Sequence, residues 1–163
     1  GTKVREKRDF HAEYEASKHL STDGWPGIPA PAFRNAMISA CRTVGFQMTR
    51  AKLAFWCLED GKDKFDGTGL VQIHGDPEMF VAPTRNETGV ADLRSRARWP
   101  EWWAVVRIQF DADMFTATDI VNLLARAGIQ VGVGEGRNDS KKSNGMGWGA
   151  FRVETEADNA ETK

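Results

Sequence analysis

The sequence predicts a single mixed α+β domain in which two helices cover one face of an antiparallel sheet. Three observations support this class. Two segments carry apolar residues at helical spacing, several short segments alternate apolar and polar residues as half-buried strands do, and turn residues separate these segments. A chain of 163 residues also suits one domain with a well-buried core better than two domains.

The first helix is predicted to begin at Pro31, after a Gly- and Pro-rich segment, because proline suits the first helical position. Gly45 supplies its stop. The first twenty residues are polar and charged, and they are compatible with an arm, a β-ribbon or a frayed helix. The apolar face of the helix consists of Phe33, Met37, Ala40, Cys41 and Val44.

Strands are predicted between the two helices. Residues 52–59 indicate a buried strand, and the runs LVQIHG and EMFVAP indicate a hairpin. A second pair is predicted from strict alternation in ADLRSRARW and WWAVVRIQF, joined by a turn at Pro100 and Glu101. In ADLRSRARW the alternation places the arginines on one face of the strand. In WWAVVRIQF it points Trp102 and every second residue up to Phe110 towards the core.

Thr116 and Asp119 form a capping box at the start of the second helix, and Gly128 stands where its stop is expected. IQVGVG and WGAFRVE are predicted to be the last two strands. This order of elements favours a ferredoxin-like sheet with both helices on one face and an extra β-hairpin inserted. Residues 1–20 would form an N-terminal arm or edge ribbon, residues 21–153 the domain, and residues 154–163 a disordered acidic tail.

The net charge of −1 conceals three local clusters of +3, at residues 3–8, 94–107 and 137–152. Clustered cations are typical of surfaces that bind polyanions. No apolar run approaches the roughly 20 residues of a membrane span, so we expect a cytoplasmic protein without a membrane partner. Cys41 and Cys57 lack the spacing of metal ligands, and neither a metal nor another cofactor is expected.

A glycine-rich segment, GVGEGRNDSKKSNGMGWG, joins the last two predicted strands at residues 132–149. Glycines let a backbone approach a phosphate closely, and neighbouring cations bind the anion. The alternative is a mobile, solvated loop. The candidate nucleic-acid-binding residues of this segment are Gly132, Gly134, Gly136, Arg137, Lys141, Lys142, Gly145, Gly147 and Trp148.

The arginine row has a separate physical argument. Alternate side chains on a strand lie about 7 Å apart, close to the spacing of phosphates in an extended single strand. A tryptophan on the same face would offer a stacking surface for a base. The alternative is an exposed strand face kept soluble by its charges. The candidate residues here are Arg94, Arg96, Arg98, Trp103 and Arg107.

Two segments together, GIPAPAFRNAMISACR and VGVGEGRNDSKKSNGMGWGAFRV, resemble the RAMP superfamily of CRISPR proteins, whose ferredoxin-like subunits coat guide RNA. The span from about residue 14 to residue 153 is also similar to a family of small phage and prophage proteins, through GIPAPAF, DLRSRARWPEWW, IVNLLARAG and VGVGEGR. The resemblance implies a phage-encoded subunit that binds single-stranded RNA or DNA and forms a homo-oligomer or joins a larger complex. It adds Arg34 and Arg42 as basic helix positions. The sequence departs from the pattern before the first helix, where only residues 8–17 could supply the required strand.

The leading hypothesis is therefore a non-catalytic subunit that binds single-stranded nucleic acid and polymerises along it or interferes with a CRISPR complex. The sequence has no nucleophile beside a base, no HExxH and no paired carboxylates on a helical face, so catalysis is not expected. One alternative is a phage assembly or protein-interaction subunit. The other is a metal-independent ribonuclease with His74 as general acid or base.

Overall fold

A computed structural model describes residues 7–85, 88–139 and 146–154. The chain is of mixed α+β class, as the sequence predicts, and it folds into two compact units, unit 1 (residues 1–27 and 61–105) and unit 2 (residues 28–60 and 106–163). In chain order the elements are α1 (Phe10–Ala16), β1 (His19–Leu20), β2 (Pro26–Pro29), α2 (Ala30–Ala40), a 3-10 turn (Cys41–Val44), α3 (Met48–Ala51), β3 (Phe55–Cys57), β4 (Gly61–Lys62), β5 (Gly69–Gln72), β6 (Glu78–Arg85), β7 (Ala91–Arg98), β8 (Ile108–Phe110) and α4 (Ala117–Gln130).

Unit 1 contains a small sheet and a longer hairpin. The sheet has the strand order β1-β2-β5-β4, and the hairpin consists of β6 and β7, which pair over eight residues from Glu78–Arg98 to Arg85–Ala91. Helix α1 begins after Asp9, whose carboxylate accepts a hydrogen bond from the N–H of Ala12. The α1 helix contacts β7, and the N–H of Ala97 donates to the hydroxyl of Ser17, so the helix end covers part of the strand edge.

Unit 2 is built on the packing of α2 against α4 and β3. The β3 strand pairs antiparallel with β8. Phe33 and Phe55 are fully buried, and their rings contact Phe151 and Phe115 at centroid distances of 5.8 and 5.9 Å. The capping box at Thr116 is present as predicted. The first predicted helix ends as an α-helix at Ala40 and continues as the 3-10 turn to Val44, where Gly45 ends it as predicted in a left-handed conformation with φ of +71°.

Both predicted hairpins are wrong, because their strands pair with partners other than those expected. LVQIHG supplies β5, which pairs with β4, whereas EMFVAP supplies β6, which pairs with β7. The segment 102–110 forms a strand only at its end, β8, and that strand pairs with β3. Burial nevertheless alternates from Trp102 to Phe110 as predicted, because alternation is local to a strand while partner choice depends on the whole sheet. The ferredoxin-like arrangement is not confirmed, since the described strands form three sheets, of four, two and two strands.

Other boundaries also differ from the predictions. Residues 52–59 contain only the three-residue β3, and Val44 is half exposed instead of lying on the apolar face of α2. The stop at Gly128 is wrong, because α4 continues to Gln130. Ile129 is therefore helical, and neither IQVGVG nor WGAFRVE forms a strand. The described part of the N-terminal arm contains α1 and β1, and the predicted tail beyond residue 154 lies outside the described residues.

The two ends of the glycine-rich segment pack against each other. The N–H of Val133 donates to the carbonyl of Gly149 over 3.0 Å. Gly149 has φ of +74°, and a Cβ at this position would overlap the Val133 carbonyl, while a Cβ on Gly136 would overlap the indole of Trp148. The glycines therefore let two segments of the same chain cross at van der Waals distance.

Asp63 organises the turn between β4 and β5. It is 5% exposed, and its Oδ1 atom accepts hydrogen bonds from the N–H groups of Phe65 and Asp66. Its Oδ2 atom lies 3.3 Å from Nδ1 of His19. These interactions, that with the Phe65 N–H most strongly, lower the pKa of Asp63 below its usual value.

The first prediction concerns this carboxylate. A group whose pKa is lowered by folding stabilises the folded state above its unfolded pKa, about 3.9, and loses that contribution as the pH falls through the folded pKa. Asp63→Asn should therefore lower the urea midpoint at pH 7 and reduce its decline on acidification below about pH 4. The exposed Asp23→Asn is the control and should change neither quantity. A wild-type pH dependence in Asp63→Asn would contradict this role.

The second prediction compares two glycines with similar backbone conformations. Gly134 has φ of +84° and nothing within 4 Å of a Cβ, whereas a Cβ on Gly149 overlaps Val133. Alanine costs about 1–2 kcal/mol in the left-handed region at either position. We expect Gly149→Ala to lower the free energy of unfolding by at least about 2 kcal/mol more than Gly134→Ala. Equal losses in urea titrations would show that these segments do not cross as described.

Candidate nucleic-acid interface

The three arginines of the predicted row lie on one face of the β6–β7 hairpin. Residues directly opposite each other in an antiparallel pair share a face. This arginine face therefore consists of the paired residues Arg98 and Glu78, Arg96 and Phe80, and Arg94 and Ala82. Phe80 comes from the strand that the sequence assigned to another hairpin, so its place among the arginines could not be predicted.

Arg98 makes two contacts on this face. Its guanidinium lies 2.6 Å from Oε1 of Glu78 and stands over the ring of Phe80 at 4.4 Å from the centroid. Both charged side chains are about half exposed. An exposed ion pair contributes only about 0–1 kcal/mol, so Arg98 can exchange the carboxylate for another anion at little cost. The ring below holds the guanidinium over the face while it does so.

The other end of the row carries Asp92, which is bound by Arg8 at 2.7 Å. Arg8 also binds Glu13 of α1 at 2.8 Å. The hydrogen bond and charge of Arg8 lower the pKa of Asp92. Among the described residues, Glu13 and Asp92 are thus paired with Arg8, and Glu78 is paired with Arg98. Arg8 belongs to the cationic cluster of residues 3–8, but it was not among the candidate binding residues that the sequence predicted.

Trp103 lies beyond the open end of the hairpin, paired with His74. The two residues exchange backbone hydrogen bonds of 2.9 and 3.0 Å in an isolated antiparallel bridge. Their rings stack with centroids 3.9 Å apart and planes inclined by 13°. Trp103 is 58% exposed. His74, considered above as a general acid or base, here covers one face of an exposed indole.

The helix position Arg34 and the strand position Arg107 bind main-chain carbonyls in unit 2. Arg34 donates to the carbonyl of Phe55 over 3.1 Å and also to that of Lys52. Arg107 donates to the carbonyl of Glu59 over 2.7 Å and to a carboxylate oxygen of Asp60. These guanidinium groups connect distant parts of unit 2. This structural role explains why both positions carry an arginine, and it requires no bound ligand.

Arg42 and Arg137 have comparable roles. Arg42 forms an ion pair with Asp139 and donates to the carbonyl of Ser39, and Arg137 donates to the carbonyl of Gly134 over 3.0 Å. Each contact joins the guanidinium to the chain's own acceptors. Arg42 of the 3-10 turn and Arg137 of the glycine-rich segment therefore hold local structure in unit 2.

The remaining candidates of the glycine-rich segment fall into two groups. Gly132, Gly136 and Trp148 belong to the chain crossing described above, and Gly147 lies near the side chain of Asn138. Lys141, Lys142 and Gly145 lie outside the described residues. Gly132 and Gly136 thus approach the protein's own backbone and indole where the sequence predicted an approach to phosphate, whereas a Cβ on Gly134 would have nothing within 4 Å.

Metal-binding and membrane-spanning features are absent from the part of the chain that the structure describes. Within residues 7–85, 88–139 and 146–154, no group of three or more His, Cys, Asp and Glu residues is placed to hold a metal ion. No helix in these ranges has the length and apolar character to cross a membrane. Burial raises the pKa of the Cys57 thiol to about 11, with a smaller contribution from Asp60, which keeps the thiol protonated at neutral pH.

Comparison of the chain with protein-family models, with curated proteins and with solved structures found no match. A function has to be inferred from the chain's own residues, and the arginine face is the surface whose chemistry is most specific.

Proposed function

We propose that this protein is a non-catalytic subunit that binds single-stranded RNA or DNA through the arginine face of the β6–β7 hairpin. The observation that carries the proposal is the alignment of Arg94, Arg96 and Arg98 on one strand face, with Phe80 opposite the middle arginine. Alternate residues on a strand are about 7 Å apart, so successive guanidinium groups can contact successive phosphates of an extended strand.

The aromatic side chains of unit 1 favour an unpaired strand over a duplex. Bases stack on aromatic rings only when they are not enclosed in a double helix. Phe80 lies beneath the Arg98 guanidinium on the arginine face, whereas the exposed ring of Trp103, just beyond the open end of the hairpin, is accessible to a base. Guanidinium groups for the phosphates and rings for the bases are the combination used by proteins that bind single strands without sequence preference.

The electrostatics predict weak, salt-dependent affinity. Neutralising three phosphates of a single strand gives a slope of log K against log salt of about −2. Affinity should therefore fall by about 20-fold between 50 and 200 mM salt. The resemblance of the sequence to RAMP subunits and to the phage family supports the same ligand, and it suggests a ferredoxin-like subunit that polymerises along its strand.

The third prediction tests the arginine face. Replacing Arg94, Arg96 and Arg98 by Gln should weaken binding of a labelled mixed-sequence oligonucleotide and reduce the salt slope by about 2, because three phosphate contacts are lost. Fluorescence anisotropy at several salt concentrations measures both quantities for RNA, single-stranded DNA and duplex. The matched control removes the same charge from exposed residues of unit 2, by changing Arg50, Lys52 and Arg126 to Gln.

The control triple variant should bind as the wild type does. Equal losses in both triple variants would show attraction by overall charge alone, and unchanged binding in the arginine-face variant would remove the proposal. Incubation of labelled RNA with a chelator tests the non-catalytic part. Cleavage that His74→Ala abolishes would establish a metal-independent ribonuclease instead.

A second candidate function rests on the opposite face of the same hairpin. There Met79, Val81 and Leu93 are exposed, and a group of exposed apolar side chains is typical of a protein-binding surface. This face suits a protein-interaction or assembly subunit, the alternative that the sequence left open.

The fourth prediction distinguishes this candidate from the first. If the apolar face mediates assembly, light scattering should detect oligomers without nucleic acid, and changing Met79 to Gln, Val81 to Thr and Leu93 to Thr should dissociate them. Oligonucleotide affinity should stay unchanged, because the arginines lie on the other face. A monomeric wild-type protein would contradict the assembly function.

A further inference from the structure

Trp103 is held by its backbone, although its side chain is exposed. The two hydrogen bonds to His74 fix the main chain on both sides of the bridge. The next residue, Gly75, has φ of +134°, and a Cβ there would overlap the carbonyl of Glu101. Glycine at 75 therefore permits the close approach of the two segments that carry the stacked rings.

The stacked imidazole leaves one indole face available. At a centroid distance of 3.9 Å and an inclination of 13°, His74 covers one side of the ring. Since Trp103 is still 58% exposed, the other side faces solvent. The neighbouring Trp102 is half buried, as expected for the inward side of this segment. An aromatic ring that is ordered and open on one face binds a flat ligand with little loss of side-chain freedom.

The location of this ring matches the end of the arginine face. The last hairpin pair is Glu78 with Arg98, and the bridge of His74 with Trp103 follows it, four residues away along one strand and five along the other. Five extended residues span at most about 17 Å. A strand whose phosphates contact Arg98 can therefore reach the indole within a few nucleotides.

We propose that the open face of Trp103 is a subsite for one unpaired nucleobase, with His74 as the positioning residue beneath the indole. The proposal rests on the proposed function and specifies the part of the ligand that the arginines do not contact. The arginine face binds the phosphates of the ligand, and the subsite binds one of its bases.

The fifth prediction separates these two contributions. The ligands are a single-stranded DNA oligonucleotide and an abasic strand of the same length, which carries the same phosphates. The wild type should bind the base-containing strand about tenfold or more tightly than the abasic one, the effect of stacking one base. Trp103→Ala should lose this preference but keep its affinity for the abasic strand, and Trp103→Phe should retain part of the preference.

Control variants identify the residues that matter. Phe65→Ala removes another highly exposed ring of unit 1 and should leave the preference unchanged. His74→Ala should reduce the preference because the indole loses the ring beneath it, and His74→Phe should restore it because a phenyl ring can stack there. A preference that is the same in His74→Ala as in the wild type would overturn the positioning role.

The failures of the two proposals are distinguishable. If neither strand binds, the proposed function and the subsite both fall. If both strands bind equally to the wild type, phosphate binding stands and the subsite is overturned. Photocrosslinking of the wild type to a strand containing 5-iodouracil needs no variant: mass spectrometry should locate the crosslink at Trp103, and a crosslink found solely at other residues would overturn the subsite.

Discussion

The register of the β6–β7 hairpin is the constraint on which the candidate interface depends. Eight residue pairs, from Glu78–Arg98 to Arg85–Ala91, fix which side chains share a face. The arginines and Phe80 lie on one face, while Met79, Val81 and Leu93 lie on the other. A slip of one residue in one strand would move its side chains to the opposite face, so charge and apolar surface stay separated only in this register.

Arg34 and Arg98 serve different purposes, and their partners show the difference. In unit 2, Arg34 donates to the main-chain carbonyl of Phe55, a fully buried residue, so exchanging this bond for a contact to a ligand would leave a carbonyl unpaired away from water. In unit 1, Arg98 pairs with an exposed carboxylate that water can solvate equally well. Exposure of the partner, more than the presence of an ion pair, determines which guanidinium group is available.

The glycine-rich segment illustrates how one composition is compatible with opposite roles. Glycine permits close approach, but the approaching group is not specified by the glycine itself. In this chain Gly149 meets the backbone of Val133, and Gly136 meets the indole of Trp148. The same freedom at Gly75 brings His74 beside Trp103, outside the segment that the sequence emphasised.

The sequence by itself determined the features that depend on near neighbours: the capping box at Thr116, the turn at Gly45, and the alternation that puts the arginines of β7 on one face. Tertiary structure alone decided the strand partners, the contacts of Arg34 and the end of α4. Gly128 is the residue type expected at a helix end, yet α4 continues past it to Gln130. Glycine is required there instead because the backbone of Phe151 packs where a Cβ would stand. Side-chain spacing along an element is a local property of the backbone. The group that packs against a strand face, accepts from a guanidinium or approaches a glycine comes from a distant part of the chain.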